Sequence, residues 1–436
     1  MEGRNSRGRW SDIDWLLVAV FSILVFMGWF NIYAATYNEE HQSIFDMTQS
    51  YGKQLMWIST SYFLAWIILM LDPRFFSRLA YVIYGVCIAL LIGVLIFGTE
   101  IKGAKSWYTF GGFSFQPSEL AKFGTALALT FYLTHLNKKF SGFFTRIKAI
   151  GILILPAGLI LLQPDTGSVL VYASFIFVMY REGLSGNILL IGLGAAVVFI
   201  VALLLNSTTI ELPFDIVLPG QTMMVVILAL ICLVLYSQFK KIKQVKWVLA
   251  ASFIVISGYI FAVNYAFNNV LQKHQRARIN ELLGIESDPT GAGYNVHQSM
   301  IAIGSGGGLG KGFLQGTQTK YDFVPEQSTD FIFCTVGEEW GFLGTFIVIS
   351  LFLVLLFRLI IVSERQRSKF SRIYGYCVAS IFFFHLAINV GMTIGLAPVI
   401  GIPLPFFSYG GSSLWSFTIL LFTFIKMDAE RMHILR

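Results

Sequence analysis

The chain has 436 residues, of which 56% are hydrophobic and 13% are charged, and its formal net charge is +7. Soluble domains carry about 25% charged residues, so this composition excludes a soluble globular protein and indicates an integral membrane protein. Basic residues in such proteins mark cytoplasmic loops first, so the positive charge does not indicate nucleic-acid binding. The four cysteines stand singly and support neither a disulfide framework nor a zinc site.

Apolar runs long enough to cross a bilayer predict an all-α polytopic membrane protein with about twelve transmembrane helices. The first run is too long for the hydrophobic region of a signal peptide, so we interpret it as a retained anchor. We expect a single membrane domain over residues 1–436. The predicted spans are 13–36, 52–71, 79–98, 118–136, 148–164, 166–181, 185–206, 220–238, 247–268, 329–360, 373–396 and 411–427.

The distribution of basic residues predicts the topology of these spans. With the N-terminus inside, the inner segments carry clusters of Lys and Arg, whereas the short loops 37–51 and 207–219 have neither. This alternation follows the positive-inside rule and places both termini in the cytoplasm. It also places the loops 99–117 and 397–410, and the large loop 271–327, on the outer face of the membrane.

The 271–327 loop is polar and glycine-rich, and it contains the first candidate catalytic residue, Asp288. Asp288 is followed by a Pro-Thr-Gly-Ala-Gly run, so its carboxylate could simply cap a tight turn. Arg276, Arg278 and Lys311 in the same loop instead suit a carboxylate that activates a hydroxyl beside a phosphorylated substrate. Spacing alone leaves both interpretations open.

A second glycine-rich segment, Gly304–Gly312, superficially resembles a nucleotide-binding loop. Ser305 stands where the first glycine of a P-loop is required, and Gly312 stands where Ser or Thr is required. We therefore predict a turn, whose backbone amides could still contact phosphate oxygens.

Ionisable residues within or beside the predicted spans form a second group of candidates. Glu119 and Lys122 lie three residues apart at the start of a span, so they share one helix face. They either line a cavity or form an ion pair that only fixes packing. Asp165 lies at a break between two spans, where it is either a helix N-cap or a cavity residue.

The later spans contain further polar residues. We expect Asp330 to cap the span at 329–360 or to face a cavity, and Glu338 and Glu339 to need polar partners if they enter the membrane. His385 and Asn389, each alone in a span, are interpreted as helix-packing residues rather than ligands.

The 397–410 loop is rich in proline and glycine and must have irregular backbone. Irregular backbone at the membrane boundary is tolerated where it is buried in protein or lines a cavity. We predict that this loop, including Ser408, forms part of the wall of an outer-facing site.

Taken together, these motifs resemble the SEDS family (shape, elongation, division and sporulation), and within it the RodA-like rod-shape branch. The resemblance extends in order over most of the chain, through Phe115–Lys122, Gln163–Gly167, Gln275–Arg278, Asp288–Tyr294, Gln298–Ser299, Ile303–Gly307, Gly310–Gly312, Gly316–Gln318, Thr329–Phe333 and Asn389–Ser413.

The resemblance implies a SEDS-type helical bundle with the activity of an inverting peptidoglycan glycosyltransferase. Such an enzyme polymerises lipid II, with an undecaprenyl-pyrophosphate leaving group, on the outer face of the bacterial inner membrane during cell elongation. The resemblance also implies that a class B penicillin-binding protein and membrane lipids are partners. It implies no organic cofactor. Asp288 matches the essential acid of the family, and Glu119, Lys122 and Asp165 match polar positions of its central cavity.

Three questions stay open at this point. Asp288 is either a general base or a ligand of a divalent cation such as Mg²⁺ or Mn²⁺. The family usually has about ten spans, so two near 207–246 are extra. A flippase or transporter for lipid-linked precursors, or a scaffold for the penicillin-binding partner, would share the broken helices and buried charges.

Overall fold

In a computed structural model, the structure describes residues 12–37, 43–101, 103–111, 113–136, 142–206, 209–212, 216–271, 273–283, 285, 293–321 and 323–431. Contacts divide the chain into two compact units. The first unit comprises Met1–Leu184 and Asn295–Arg436, and the second unit comprises Ser185–Tyr294.

Helices dominate both units. The first stretch of the chain contains α1 (Trp15–Ala35), α2 (Ser50–Met70), α3 (Pro73–Arg78), α4 (Ala80–Phe97), the strands β1 (Thr99–Ile101), β2 (Ala104–Phe110) and β3 (Phe113–Phe115), then α5 (Pro117–Thr134), α6 (Phe143–Leu161), α7 (Thr166–Val171) and α8 (Phe175–Arg181). The middle stretch contains α9 (Gly186–Asn206), β4 (Thr209–Leu212), β5 (Ile216–Pro219), α10 (Gly220–Phe239), α11 (Val245–Tyr265) and α12 (Lys273–Leu282). The last stretch contains α13 (Tyr294–Ser305), α14 (Thr317–Lys320), α15 (Ile332–Glu364), α16 (Lys369–Thr393) and α17 (Gly411–Ala429).

The prediction of an all-α polytopic membrane protein is confirmed. Within the described residues, eight helices are long and apolar enough to cross a membrane. Helical segments also cover the other predicted spans, and how many of them cross the bilayer stays a prediction. The predicted break near Gln163 is present, because α6 ends at Leu161 and α7 begins at Thr166. A 3₁₀ turn, Tyr172–Ser174, separates α7 from α8.

Two short sheets were not predicted. The 99–117 loop folds into an antiparallel meander in the order β1-β2-β3, and β4 pairs with β5 as a hairpin. The Lys-Ser-Trp-Tyr-Thr-Phe run of β2 has the aromatic and β-branched content of a strand, and Gly103 and Gly111 beside it have positive φ. The meander leads directly into α5, which begins with Pro117 at its first helical position.

An aromatic cluster fixes the 397–410 loop in the core of the first unit. Phe406 is 2% exposed, and its ring centroid lies 5.0 Å from Phe21, 5.2 Å from Phe382 and 5.9 Å from Phe417, all edge to face. The φ of Phe406 is 65°, in the left-handed region that a non-glycine residue rarely adopts. Burial of the ring offsets this strain, so the loop is held rigidly at that point.

A charge cluster joins the start of α1 to the ends of α15 and α17. Asp14 caps α1 through Leu17 and accepts hydrogen bonds from Arg358 at 2.8 Å and Arg365 at 2.9 Å. Arg365 also bonds the buried Asp428. Burial alone would raise the pKa of Asp14, but the hydrogen bonds from Arg358 and Leu17 and the charges of both arginines hold it below its usual value.

The glycine-rich segment packs against a break in α15. Gly341 interrupts that helix with φ 61° and ψ −155°. The freed carbonyls of Glu338 and Glu339 accept hydrogen bonds, each at 3.0 Å, from the amides of Lys311 and Gly312. These amides are therefore already used, and the expectation that they could contact phosphate is not met for Lys311 and Gly312. The close approach requires glycine, because a Cβ on Gly310 would lie 2.1 Å from the carbonyl oxygen of Glu339.

We expect Gly310→Ala to destabilise the protein more than Gly103→Ala. Both glycines have nearly the same φ, +83° and +82°, so left-handed strain of about 1–2 kcal/mol applies to each. Gly103 has open space around its missing Cβ, whereas Gly310 meets backbone, which adds about 1–3 kcal/mol. Thermal unfolding of the purified protein in detergent measures the difference. Equal loss of stability in the two variants would contradict the packing of this segment against α15.

Candidate functional site

Asp288, with the rest of residues 286–292, lies outside the described residues. Its assignment as the catalytic acid therefore stays a prediction. The two arginines predicted beside it lie on α12 in the second unit. Arg276 donates from Nη1 to the carbonyl oxygen of Asn268 at 3.2 Å, and its buried Nε has no hydrogen-bond partner within the part of the chain that the structure describes. Arg278 is exposed.

Lys311, the third predicted cation, lies in the first unit and is paired with Glu338. Its Nζ lies 2.7 Å from Glu338 Oε1 and 2.8 Å from Thr317 Oγ1, and 26% of its side chain is exposed. The amides of Gln318 and Thr319 also donate to Glu338, at 2.8 and 2.9 Å. Glu338 is fully buried, so Lys311 stabilises a buried carboxylate, and Glu338 in turn holds α14 against α15.

The neighbouring carboxylate, Glu339, is less completely paired. Its Oε1 accepts a hydrogen bond from the Leu314 amide at 3.2 Å, and its buried Oε2 has no partner among the described residues. The expectation that both glutamates need polar partners is confirmed fully for Glu338 and partly for Glu339. A role for Lys311 in binding pyrophosphate stays a prediction. The pairing with Glu338 makes that role less favourable, since the charge of Lys311 already offsets that of the carboxylate.

The predicted pair at the start of α5 is an ion pair in the core of the first unit. Lys122 Nζ lies 2.7 Å from Glu119 Oε1 and 3.0 Å from Nε2 of His385. Lys122 is 0% exposed and Glu119 is 3% exposed, and the ammonium lies 5.2 Å from the ring centroid of Phe417. Glu119 Oε2 is buried and lacks a hydrogen-bond partner in the described ranges. The cluster thus keeps one unused acceptor beside a buried cation.

Asp165 is an N-cap, as one of the two predictions for it stated. Its Oδ1 accepts from the Ser168 amide at 3.0 Å at the start of α7. Its Oδ2 accepts from Gln116 Nε2 at 2.9 Å and from Ser118 Oγ at 3.2 Å. Asp165 therefore ties the start of α7 to the start of α5. Gln116 was missed as a polar partner, although it lies in the Phe-Gln-Pro-Ser motif.

Asp330 lies beside the 397–410 loop, since a Cβ built on Gly401 would be 3.2 Å from Asp330 Oδ2. Of the two alternatives predicted for Asp330, the N-cap is wrong, because α15 begins at Ile332 and Phe331 is the residue at its N-cap. The other alternative, that Asp330 faces a cavity, stays a prediction. Asn389 donates to the carbonyl oxygens of Asp330 at 2.9 Å and Ile402 at 2.7 Å. It thereby joins the start of α15 to the loop.

The 397–410 loop contains Ser408 and contacts elements that carry other predicted residues of the first unit. Ser408 is buried, and its Oγ accepts from the Leu404 amide at 2.8 Å, so it closes a turn of the loop. Gly167, two residues after Asp165, packs against the loop, since its Cβ would lie 2.3 Å from the carbonyl oxygen of Ile400. His385 Nδ1 lies 3.0 Å from the carbonyl oxygen of Pro403. The loop thus packs against Gly167 of α7, lies beside Asp330 just before α15, and is hydrogen-bonded by His385 and Asn389 of α16.

This arrangement can hold fixed charge in an apolar surrounding, where electrostatic interactions are strong. Among the described residues there is no group of three or more His, Cys, Asp or Glu side chains that could hold a metal ion. A divalent cation at Asp288 stays a prediction, because that residue is not among them.

Fold and site together define a polytopic membrane protein with buried ion pairs, one of which, Glu119–Lys122, is linked through His385 to an irregular loop. The sequence profile of the cell cycle protein family of FtsW, RodA and SpoVE matches residues 14–212 and 219–433. The chain belongs to this family, and the resemblance stated from the motifs is confirmed.

Named relatives cover most of the chain. The chain is 34% identical to a peptidoglycan glycosyltransferase RodA of Treponema pallidum, over 97% of this chain and 99% of that protein. It is 34% identical to the peptidoglycan glycosyltransferase MrdB of Escherichia coli K12, over 80% of this chain and 77% of that protein.

Solved structures have the same fold. One solved structure is described as showing the structural coordination of polymerization and crosslinking by a peptidoglycan synthase complex. It has a TM-score of 0.69 and 27% identity, and covers 97% of this chain and 99% of that one. The crystal structure of the rod shape determining protein RodA of Thermus thermophilus has a TM-score of 0.62, with the same coverages and 24% identity. At that identity the second likeness shows the fold alone.

We expect Glu338→Gln to lower the free energy of unfolding by about 3 kcal/mol, because it removes the charge that Lys311 and two backbone amides face in a buried place. Glu430→Gln is the matched control. Glu430 pairs with Lys426 at 2.6 Å but is 30% exposed, so its loss should cost at most about 1 kcal/mol. Thermal unfolding in detergent compares the two, and similar melting temperatures would contradict the buried pairing of Glu338.

Proposed function

We propose that this protein is a peptidoglycan glycosyltransferase that polymerises lipid II during cell elongation. The observation that carries the proposal is the 34% identity, over nearly the whole length of both chains, to a relative named as such an enzyme. The membrane-spanning fold supports it, because a lipid-linked substrate must be bound at the bilayer. We place the reaction on the outer face of the bacterial inner membrane, with both termini in the cytoplasm.

In the proposed reaction, a sugar hydroxyl of the acceptor attacks the anomeric carbon of the donor. The new C–O bond forms as the bond from that carbon to the pyrophosphate oxygen breaks, with inversion at carbon. The undecaprenyl pyrophosphate leaves with the electron pair. The proton of the attacking hydroxyl passes to the Asp288 carboxylate if that residue is the general base. Alternatively, Asp288 would hold a divalent cation that would offset the charge of the leaving group, and the proton of the attacking hydroxyl would pass to water.

Cations must offset the charge that develops on the departing pyrophosphate. Arg276, Arg278 and Lys311 are the candidates on the outer loop. Lys311 is the weakest of the three, since Glu338 at 2.7 Å already neutralises it. Arg276 is a stronger candidate, because its one hydrogen bond among the described residues goes to a backbone carbonyl oxygen, that of Asn268, and not to a carboxylate.

A class B penicillin-binding protein is the proposed partner. The relative of known structure with 27% identity is part of a complex described as coordinating polymerization with crosslinking. Coupling of the two reactions would place a crosslinking enzyme beside each newly made glycan strand.

We expect Asp288→Asn to abolish polymerisation, because the amide neither accepts a proton at neutral pH nor replaces a carboxylate ligand. Glu286→Gln is the matched control, and it should retain activity, because it removes a carboxylate two residues away. The assay measures glycan chains made from lipid II by the full-length protein with its partner, with Mg²⁺ or Mn²⁺ present or chelated. An Asp288→Asn protein that folds normally and still makes chains would overturn both roles of Asp288. Among variants with a carboxylate at 288, activity that survives chelation would favour the general base.

A further inference from the structure

His385 lies at the centre of the first unit and has polar partners on both ring nitrogens. It is 1% exposed on α16. Nε2 lies 3.0 Å from Nζ of Lys122, and Nδ1 lies 3.0 Å from the carbonyl oxygen of Pro403. The ring also meets Phe417 edge to face, with centroids 4.8 Å apart. This imidazole therefore links the buried cation of α5 to the backbone of the 397–410 loop.

The two partners define the tautomer of the ring. An ammonium group only donates hydrogen bonds, so Nε2 must be the unprotonated acceptor. A carbonyl oxygen only accepts, so Nδ1 must carry the hydrogen. The imidazole is then neutral, and reversing either assignment would break a bond or place a proton against the Lys122 ammonium.

The hydrogen bond to Pro403 is reinforced one helical turn away. Asn389, four residues after His385 on α16, donates to the carbonyl oxygen of Ile402 at 2.7 Å. Two side chains on one helix face thus hold consecutive carbonyls of the loop. Of the polar side chains described around Lys122, Glu119 offsets its charge, and His385 fixes its distance from the loop.

We propose that His385 is a positioning residue for glycosyl transfer. As a neutral, Nδ1-protonated imidazole, it holds the Lys122 ammonium at a fixed place relative to the 397–410 loop. The inference rests on the proposed function, since it assigns His385 a part in that reaction. It reaches beyond the interpretation of His385 as a helix-packing residue, because the ring acts through Lys122.

Two substitutions separate positioning from packing. A glutamine side chain carries an amide donor and a carbonyl acceptor, so His385→Gln can bond both Pro403 and Lys122. Leucine fills similar space and offers neither group. We expect His385→Gln to polymerise lipid II within about threefold of wild type. We expect His385→Leu to lose about 100-fold in kcat with little change in KM, as a displaced charge would cause.

The coupling to Lys122 is tested by a double-mutant cycle. If His385 acts through Lys122, adding His385→Leu to Lys122→Met should cause little further loss of activity. Tyr374→Phe is the matched control on α16. It removes one buried hydrogen bond, at 3.1 Å to the carbonyl oxygen of Leu420, and should leave activity unchanged.

The proposal is overturned if His385→Gln loses as much activity as His385→Leu. It is also overturned if the double variant loses activity by the product of the factors measured for Lys122→Met and His385→Leu alone. Thermal unfolding of the four proteins of the cycle (wild type, Lys122→Met, His385→Leu and the double variant) separates this inference from the proposed function. If wild type makes no glycan, the proposed function fails. The contact with Lys122 then still stands if the unfolding free energies of the cycle are non-additive, and it fails if they add.

Discussion

The buried ammonium of Lys122 is the constraint on which the centre of the first unit depends. A charge inside an apolar helical bundle is costly unless it is paired and hydrogen-bonded. Its described polar partners come from different elements: Glu119 from α5 itself, and His385 from α16, which reaches the 397–410 loop through Pro403. Satisfying one cation therefore brings a helix start, a helix interior and an irregular loop together.

The same rule operates where α15 is broken. Gly341 frees backbone carbonyls in a buried part of the helix, and an unsatisfied buried backbone group costs about 1–3 kcal/mol. The segment at Lys311 and Gly312 supplies the missing donors, while the Lys311 side chain neutralises Glu338. Glycine is needed at this place because backbone must approach backbone. A segment that superficially resembles a nucleotide loop thus has a structural role.

The sequence predicted the helices well because their signal is local. Long apolar runs identify the spans, and Gln-Pro-Asp-Thr-Gly identifies the break before α7. The cap at Asp165 and the pairing of Glu119 with Lys122 were each one of two alternatives that local spacing left open. The partners of His385 and Lys311 could not be predicted, since they lie 263 and 27 residues away and are set by tertiary packing. The β1-β2-β3 meander was missed because its short strands lie in a loop assigned by polarity alone.

The family and its named relatives favour an enzyme, although buried ion pairs and broken helices also occur in transporters. Sidedness separates these two functions most directly. The measurement reconstitutes the full-length protein with its partner in vesicles that carry lipid II in one leaflet only, and follows both glycan chains and lipid translocation. We predict glycan chains when lipid II is in the leaflet that faces the 271–327 loop. Translocation of lipid II without glycan chains would contradict the account.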